Sequence, residues 1–310
     1  MSILKLRPSC KDYLWGGHRL AEEYGVQYDG DVLAEAWELS CHPDGPCYVE
    51  NGTDAGLTLE QYIEKHGKEI LGTHCRRFRD FPILTKFIDA KDNLSIQVHP
   101  DNRYALKNEG QYGKTEMWYI MDAEPGAYLY YGFKTEISKE EFAKRIQKDT
   151  LLEVLNAVPV QKGDVLFIES GTIHAIGKGI LIAEIQQNSN VTYRVYDYGR
   201  LGADGKPRAL HIDKAVEVSK LDLPCTNYNF GGHLVRSAYF TVDKLTAPCR
   251  TAADEESFTS LLVLDGVGTV SCGADTIRCK KGDSLFVEAD SGDVYIGGTL
   301  QVLSTRVGTI

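Results

Sequence analysis

The stretch Leu94-Ser-Ile-Gln-Val-His99 alternates apolar and polar residues, so on an extended strand Ser95, Gln97 and His99 share one face and Leu94, Ile96 and Val98 the other. The apolar face belongs against a core. Polar residues on one face of a buried strand must bond to something. On an edge strand that partner is solvent; inside a β-barrel it is a metal or a ligand. Glu116 opens a second strand pattern, Glu116-Met-Trp-Tyr-Ile-Met121, directly after Gly113-Lys-Thr, and His174 ends the turn-rich run Glu169-Ser-Gly-Thr-Ile-His174. A single histidine in a β protein is ordinarily a hydrogen-bonded core or surface residue. Two histidines and a glutamate on neighbouring strands, with Gln97 beside them, offer the mixed nitrogen and oxygen donors that suit Zn²⁺, Mn²⁺ or Fe²⁺.

Cations accompany this set. Lys114 lies two residues before Glu116 and leaves the strand on the same side, and Arg194 and Arg200 frame Tyr196-Asp-Tyr198. Most of the 34 lysines and arginines must be solvated surface charges in a chain of net charge −10. Three of them converging beside a metal would suit a phosphorylated substrate, which arginine can grip bidentately. Glu184, within Ile180-Leu-Ile-Ala-Glu-Ile185, is a carboxylate among apolar neighbours. It reads equally as an acid or base and as a structural partner for an arginine.

The elements that must position these groups are mainly strands. Ile83–Ala90, Leu94–His99, Glu116–Ala123, Ala127–Phe133, Val165–Ser170 and Ile180–Gln186 are β-rich and bounded by Gly, Pro, Asp or Asn. One helix is predicted at 58–67, where Thr58 and Gln61 form a capping-box pattern. A helical hairpin is predicted at about 137–159 from the apolar spacing of residues 142, 146, 151, 152 and 155. An internal repeat sets the domain plan: Lys162-Gly-Asp-Val-Leu-Phe-Ile-Glu169 returns 119 residues later as Lys281-Gly-Asp-Ser-Leu-Phe-Val-Glu288, with six of eight residues identical. Trp118–Ala123 is echoed by Leu261–Gly266, and the spacing between segments is 24 residues longer in the first copy, the length of the helical insert. The expectation is a mainly β fold of two jelly-roll barrels resembling cupins. Residues 1–210 would hold the metal-binding barrel and 211–310 a barrel without ligands, since Asp293 stands where His174 would.

Composition excludes several classes. The acidic balance disfavours nucleic acid and anionic membranes, and no apolar run reaches the ~18–20 residues of a membrane helix. The eight cysteines contain no Cys-x-x-Cys, and the N-terminus breaks its apolar stretch too early for a secretory signal, so reduced thiols and a cytoplasmic location are expected. Gly177-Lys-Gly179 lacks the Ser or Thr and the distant Gly of a P-loop, and no Gly-x-Ser-x-Gly elbow occurs.

Ile88–Asp101, Gly113–Trp118, Gly171–Ala175 and Thr192–Arg200 together resemble the type I mannose-6-phosphate isomerases, in particular the short bacterial form of Firmicutes type. Lys11–Gly17 and Ala34–Ser40 extend the resemblance over most of the chain. The resemblance implies an aldose–ketose isomerase acting on mannose 6-phosphate and fructose 6-phosphate, with one Zn²⁺ per chain held by His99, Glu116, His174 and Gln97. It further implies an active-site arginine at Arg194, a Lys-x-Glu lysine at Lys114, and Ser95 and Arg200 near the phosphate. The proton-transfer base stays open between Lys114, Glu184 and a metal-bound water, and the assembly between monomer and homodimer. Two rival readings are a catalytically silent sugar-phosphate-binding cupin and an Fe-dependent cupin oxygenase.

Overall fold

The computed structural model describes residues 2–202 and 205–309. It is mainly β, with strands in four sheets whose strand orders do not close on themselves. Contacts divide the chain into two compact units, neither of them continuous: one comprises Met1–Asp12, His18–Phe87 and Asn229–Ile310, the other Tyr13–Gly17 and Ile88–Tyr228. All eight cysteines are free thiols.

The second unit carries the candidate chemistry. Its strands are β1 (Ile96–Val98), β2 (Glu116–Ala123), β3 (Tyr128–Phe133), β4 (Leu155–Pro159), β5 (Val165–Ile168), β6 (His174–Ala175), β7 (Ile180–Gln187) and β8 (Tyr193–Tyr196). One antiparallel sheet runs β8–β1–β6–β3–β4, and β5–β2–β7 are neighbours in another. Three helices, α1 (Asn102–Asn108), α2 (Lys139–Gln147) and α3 (Ile212–Val218), accompany them. Ile96, Val98, Ile173 and Ala175 are buried in one cluster with Phe142 of α2 and Ala215 of α3. Burying a side chain the size of Phe142 contributes about 1.5–3 kcal/mol, and it gives the sheet a helix-covered apolar face. By strand alternation Gln97 and His174 must then project from the opposite face.

The predicted helical hairpin at 137–159 is corrected by the structure. Only Lys139–Gln147 is α-helical, capped by the Ser138 hydroxyl accepting from the Glu141 amide. A short 3₁₀ turn, Leu151–Glu153, follows, and Leu155–Pro159 is the edge strand β4 paired with β3. The 3.6-residue spacing of apolar residues ends at Leu155. After it Asn-Ala-Val-Pro alternates in exposure, and a proline without an N–H is tolerated on an edge. The helix predicted at 58–67 is present as Leu59–His66 with both hydrogen bonds of the capping box.

The repeat is visible as geometry in the first unit, through β9 (Cys249–Ala253), β10 (Thr259–Asp265), β11 (Val267–Cys272), β12 (Asp275–Lys280), β13 (Ser284–Val287), β14 (Gly292–Gly298) and β15 (Gln301–Val307). β2 pairs β5 with Tyr119 opposite Val165 and Glu116 opposite Ile168; β10 pairs β13 with Leu262 opposite Ser284 and Thr259 opposite Val287. These are the same register once the insert is allowed for. The turn before each strand is also shared. Gly163 (φ 95°) and Gly282 (φ 91°) take the left-handed conformation that favours glycine. Asp164 accepts from the Gln161 amide and Asp283 from the Lys280 amide, each at 2.9 Å. Even the irregularity recurs: the β2–β7 ladder slips at Leu181/Ile182 and the β10–β15 ladder at Val263/Asp265, so Met121 and Leu264 are the extra residues of matching bulges.

Candidate active site

Three strands place the candidate ligands. Within the β8–β1–β6–β3 sheet, Arg194 lies opposite Gln97, Gln97 opposite His174, and His174 opposite Tyr131. Directly opposed residues share a face, so this row aligns Arg194, Gln97 and His174 on the side away from the helices. His99 follows β1. Glu116 begins β2, and Glu184 on β7 is opposite Trp118, two residues along β2 from Glu116.

Gly113 explains how Lys114 and Glu116 reach this place. A Cβ at residue 113 would come within 2.3 Å of the Asp101 carbonyl carbon and 2.5 Å of the Asn102 amide nitrogen. Only glycine lets the backbone entering β2 lie against the chain leaving His99, an approach secured by the Lys114 amide donating to the Pro100 carbonyl at 3.0 Å.

His99, Glu116 and His174 are all buried, and one donor atom from each lies within 4.8 Å of the others. The Nδ1 atoms of His99 and His174 contact the carbonyl oxygens of Val191 and Thr172, both at 2.8 Å. A carbonyl only accepts, so each Nδ1 carries a ring proton, and Nε2 is the ring atom left to offer a lone pair to a metal. Those Nε2 atoms face Glu116, at 3.8 Å for His99 and 3.2 Å for His174. Burial pushes the pKa of His174 down to about 4; its bond to the Thr172 carbonyl opposes this and the Lys114 ammonium reinforces it. Two imidazoles oriented through Nδ1, with both Nε2 atoms toward a buried carboxylate, form a donor set that fits a divalent cation.

The charges around the set agree with that fit. Lys114 Nζ lies 2.7 Å from Glu116 Oε2 and 3.5 Å from Glu184 Oε1, with all three side chains almost fully buried. The Trp118 indole N–H donates to Glu184 Oε2 at 2.9 Å, and its ring meets His174 edge-on at 5.4 Å. One ammonium beside two carboxylates leaves the cluster a charge short of balance when both are ionised, and a cation would supply it.

At the Arg194 end, the guanidinium donates through Nε to the buried Ser95 hydroxyl at 3.1 Å and through Nη1 to the Ala209 carbonyl at 3.2 Å. Arg200 donates to the Asn93 carbonyl at 2.6 Å and to Asp197. Asp197 also receives a bidentate pair from Arg208, both bonds at 2.7 Å. Burial raises the Asp197 pKa, but the hydrogen bonds from Arg208 and Arg200 outweigh it and hold the carboxyl below its ordinary value. Ser95, Gln97, His99, Lys114, Glu116, His174, Glu184, Arg194 and Arg200 thus all lie in one unit. Sequence reading missed Trp118 as the donor to Glu184 and Arg208 as a partner of Asp197. Trp118 reads as an ordinary buried strand residue, and nothing local links Arg208 to a turn eleven residues upstream.

Known proteins resemble this chain along nearly its whole length. A family model described as the catalytic domain of type I phosphomannose isomerase matches residues 3–140, and one described as the mannose-6-phosphate isomerase cupin domain matches residues 232–307. The mannose-6-phosphate isomerase of Streptococcus mutans is 37% identical over 98% of this chain and 98% of its own. The crystal structure of the mannose 6-phosphate isomerase from Bacillus subtilis superposes with a TM-score of 0.89 at 36% identity, covering 98% of this chain and 99% of that one. A mannose 6-phosphate isomerase bound with zinc and yttrium shares the fold at 20% identity and a TM-score of 0.77, over 99% of this chain and all of that one.

Proposed function

We propose that this chain, which belongs to the type I phosphomannose isomerase family, interconverts mannose 6-phosphate and fructose 6-phosphate with one Zn²⁺ held by His99, Glu116, His174 and Gln97. The observation that carries the reading is the pair of histidines whose Nδ1 atoms are tied to carbonyls while both Nε2 atoms face Glu116. In this reading the metal-bearing part of 1–210 and the ligand-free part of 211–310 are two related cupin barrels, as their matching ladders and bulges support.

The reaction moves a proton between C2 and C1 of the sugar through an enediolate. Zinc held by His99, Glu116, His174 and Gln97 would supply positive charge that lowers the cost of that intermediate. The protein's own groups do the rest. Glu184, its Oε2 fixed by the Trp118 indole, takes and returns the carbon-bound proton at Oε1. Lys114, whose ammonium lies 3.5 Å from that oxygen, gives a proton to the carbonyl oxygen at C1 and takes back the hydroxyl proton from the oxygen at C2, which restores the ammonium. Arg194 adds a permanent charge from the neighbouring strand, and Ser95, Arg194 and Arg200 form the phosphate end.

The test is isomerisation of mannose 6-phosphate by the purified protein, before and after chelation and with Zn²⁺ restored. Activity should vanish with the chelator and return with zinc. A folded, zinc-loaded protein with no turnover would overturn the isomerase reading and leave the silent sugar-phosphate binder; turnover that needs Fe²⁺ and oxygen would point to the oxygenase.

A further inference from the structure

Three guanidinium groups gather around one carboxylate at the Arg194 end of the strand row. Asp197 is 6% exposed and accepts from both Arg200 and Arg208. The cluster of three arginines and one aspartate has two positive charges in excess, the match for a phosphate monoester of about −1.5 to −2 at neutral pH. The arginines are not equivalent. Arg200 directs Nε and one terminal nitrogen to Asp197 and the other terminal nitrogen to the Asn93 carbonyl, a set of bonds that ties two loops together. Arg208 belongs to a segment that runs alongside Arg194. The Ala209 carbonyl receives Arg194 Nη1, and the His211 amide donates to the Arg194 carbonyl at 2.8 Å. After burial, the Arg208 charge is the largest influence lowering the Arg194 pKa, ahead of Arg200.

We propose that Arg208 is a further phosphate-binding arginine beside Arg194, and that Asp197 is the positioning residue that aims it. The inference rests on the sugar-phosphate reading above and deepens it. The row Arg194–Gln97–His174 spans two strand spacings, roughly 10 Å, so a hexose phosphate held at the arginines extends its sugar toward His174. The bidentate grip of Asp197 on Arg208 fixes the plane of the guanidinium in advance, and binding then loses less side-chain freedom.

The experiment uses the full-length zinc-loaded protein. Initial-rate kinetics with mannose 6-phosphate, and calorimetric titration with inorganic phosphate, compare wild type with Arg208→Gln, Arg208→Lys and Asp197→Asn. Arg278→Gln, at an exposed arginine of β12, controls for net charge. Arg208→Gln should raise KM and weaken phosphate binding about tenfold or more, with kcat within about threefold. Arg208→Lys should recover part of the loss, Asp197→Asn should shift KM in the same direction, and Arg278→Gln should match wild type. Unchanged KM and phosphate affinity in Arg208→Gln overturns the proposal; if that variant does not fold, unchanged values in Arg208→Lys do the same. Phosphate binding that depends on Arg208 in a protein that does not turn over mannose 6-phosphate would sink the isomerase reading alone and leave the anion site standing.

Discussion

The ladders β5–β2–β7 and β13–β10–β15 have the same register, the same Gly-Asp turn and the same bulge, yet their side chains have opposite purposes. In the first, Glu116, Trp118 and Glu184 meet Lys114 and two histidines. In the second, Thr259, Leu261 and Ser304 stand at the positions of Glu116, Trp118 and Glu184, and Leu261 packs with Val263, Leu285, Val287 and Val302 in an apolar cluster. The counterparts of the other candidate ligands are dispersed as well. The Gly171 amide donates to the His99 carbonyl and the Asp290 amide to the Asp254 carbonyl, so Asp254 is the counterpart of His99. Ala252 lies opposite Asp293 as Gln97 lies opposite His174. Asp254 pairs with Arg306, Asp293 with Arg250, and the Thr259 hydroxyl donates to the Ala252 carbonyl. The difference teaches that backbone pattern and turn chemistry specify the ladder, while a handful of inward side chains decide whether its interior is a site or a core.

Exchange of the contrasting residues breaks the comparison most severely. Glu116→Thr should abolish stoichiometric metal binding and lower kcat/KM by about a thousandfold, the scale of losing several kcal/mol of charge stabilisation. Metal analysis and initial rates read both effects; full metal content with near-normal turnover would remove Glu116 from the site. The converse, Thr259→Glu, should create no second site. It places a carboxylate in a core with no equivalent of Lys114, at about 3–5 kcal/mol, seen as a fall in melting temperature of roughly 10 °C. A second bound zinc or an unaltered melting curve would mean the two interiors are more alike than their side chains indicate.

Trp118→Phe sharpens the comparison at the position where the second ladder has Leu261. It keeps an aromatic ring beside His174 but removes the donor to Glu184. We expect kcat to fall about tenfold with zinc retained, as for other residues that orient an active group. An unchanged kcat and pH profile would leave Trp118 as packing alone.

The smallest effect concerns how each unit treats a buried acid. Glu116 and Glu184 have Lys114 nearby, whereas both oxygens of fully buried Glu38 in the first unit lack a hydrogen-bond partner among the described residues. Burial, then the charges of Asp283 and Glu50, push the Glu38 pKa well above its ordinary value; Asp283 is itself paired with Lys5 at 2.9 Å. Below the ordinary glutamate range both the folded and unfolded chains hold this proton. As pH rises past it, the unfolded chain releases the proton and the folded one retains it, so stability declines until the folded group ionises. Glu38→Gln should therefore melt about 2–4 °C higher than wild type at pH 8 and at the same temperature as wild type near pH 3, with activity at pH 8 unaltered. Equal melting at both values would show that Glu38 is relieved by neighbours in solution.

Much of this was legible in the residues. Alternation placed Ser95, Gln97 and His99 on one face, and the structure pairs Gln97 with His174 and binds Ser95 to Arg194. The repeated Lys-Gly-Asp segment foretold two equivalent strands because glycine and aspartate in that order dictate the turn before them. Apolar periodicity misled at Leu155, where an edge strand and the end of a helix share the same local pattern. The pairing of Asp197 with Arg208 was hidden for a different reason: a charged residue in a loop gives no local sign of which carboxylate it will meet.

The sequence alone therefore determined the strand periodicity, the turns, the donor types and the β class, because each depends on neighbours a few residues apart. Only the tertiary structure decided which donors converge. The tautomers of His99 and His174 depend on the carbonyls of Val191 and Thr172, the setting of Glu184 on Trp118, and the aim of Arg208 on Asp197. Two of those partners, Val191 for His99 and Trp118 for Glu184, lie more than sixty residues away along the chain, and hydrogen bonds and desolvation act over a few ångströms, so their choice had to wait for the fold.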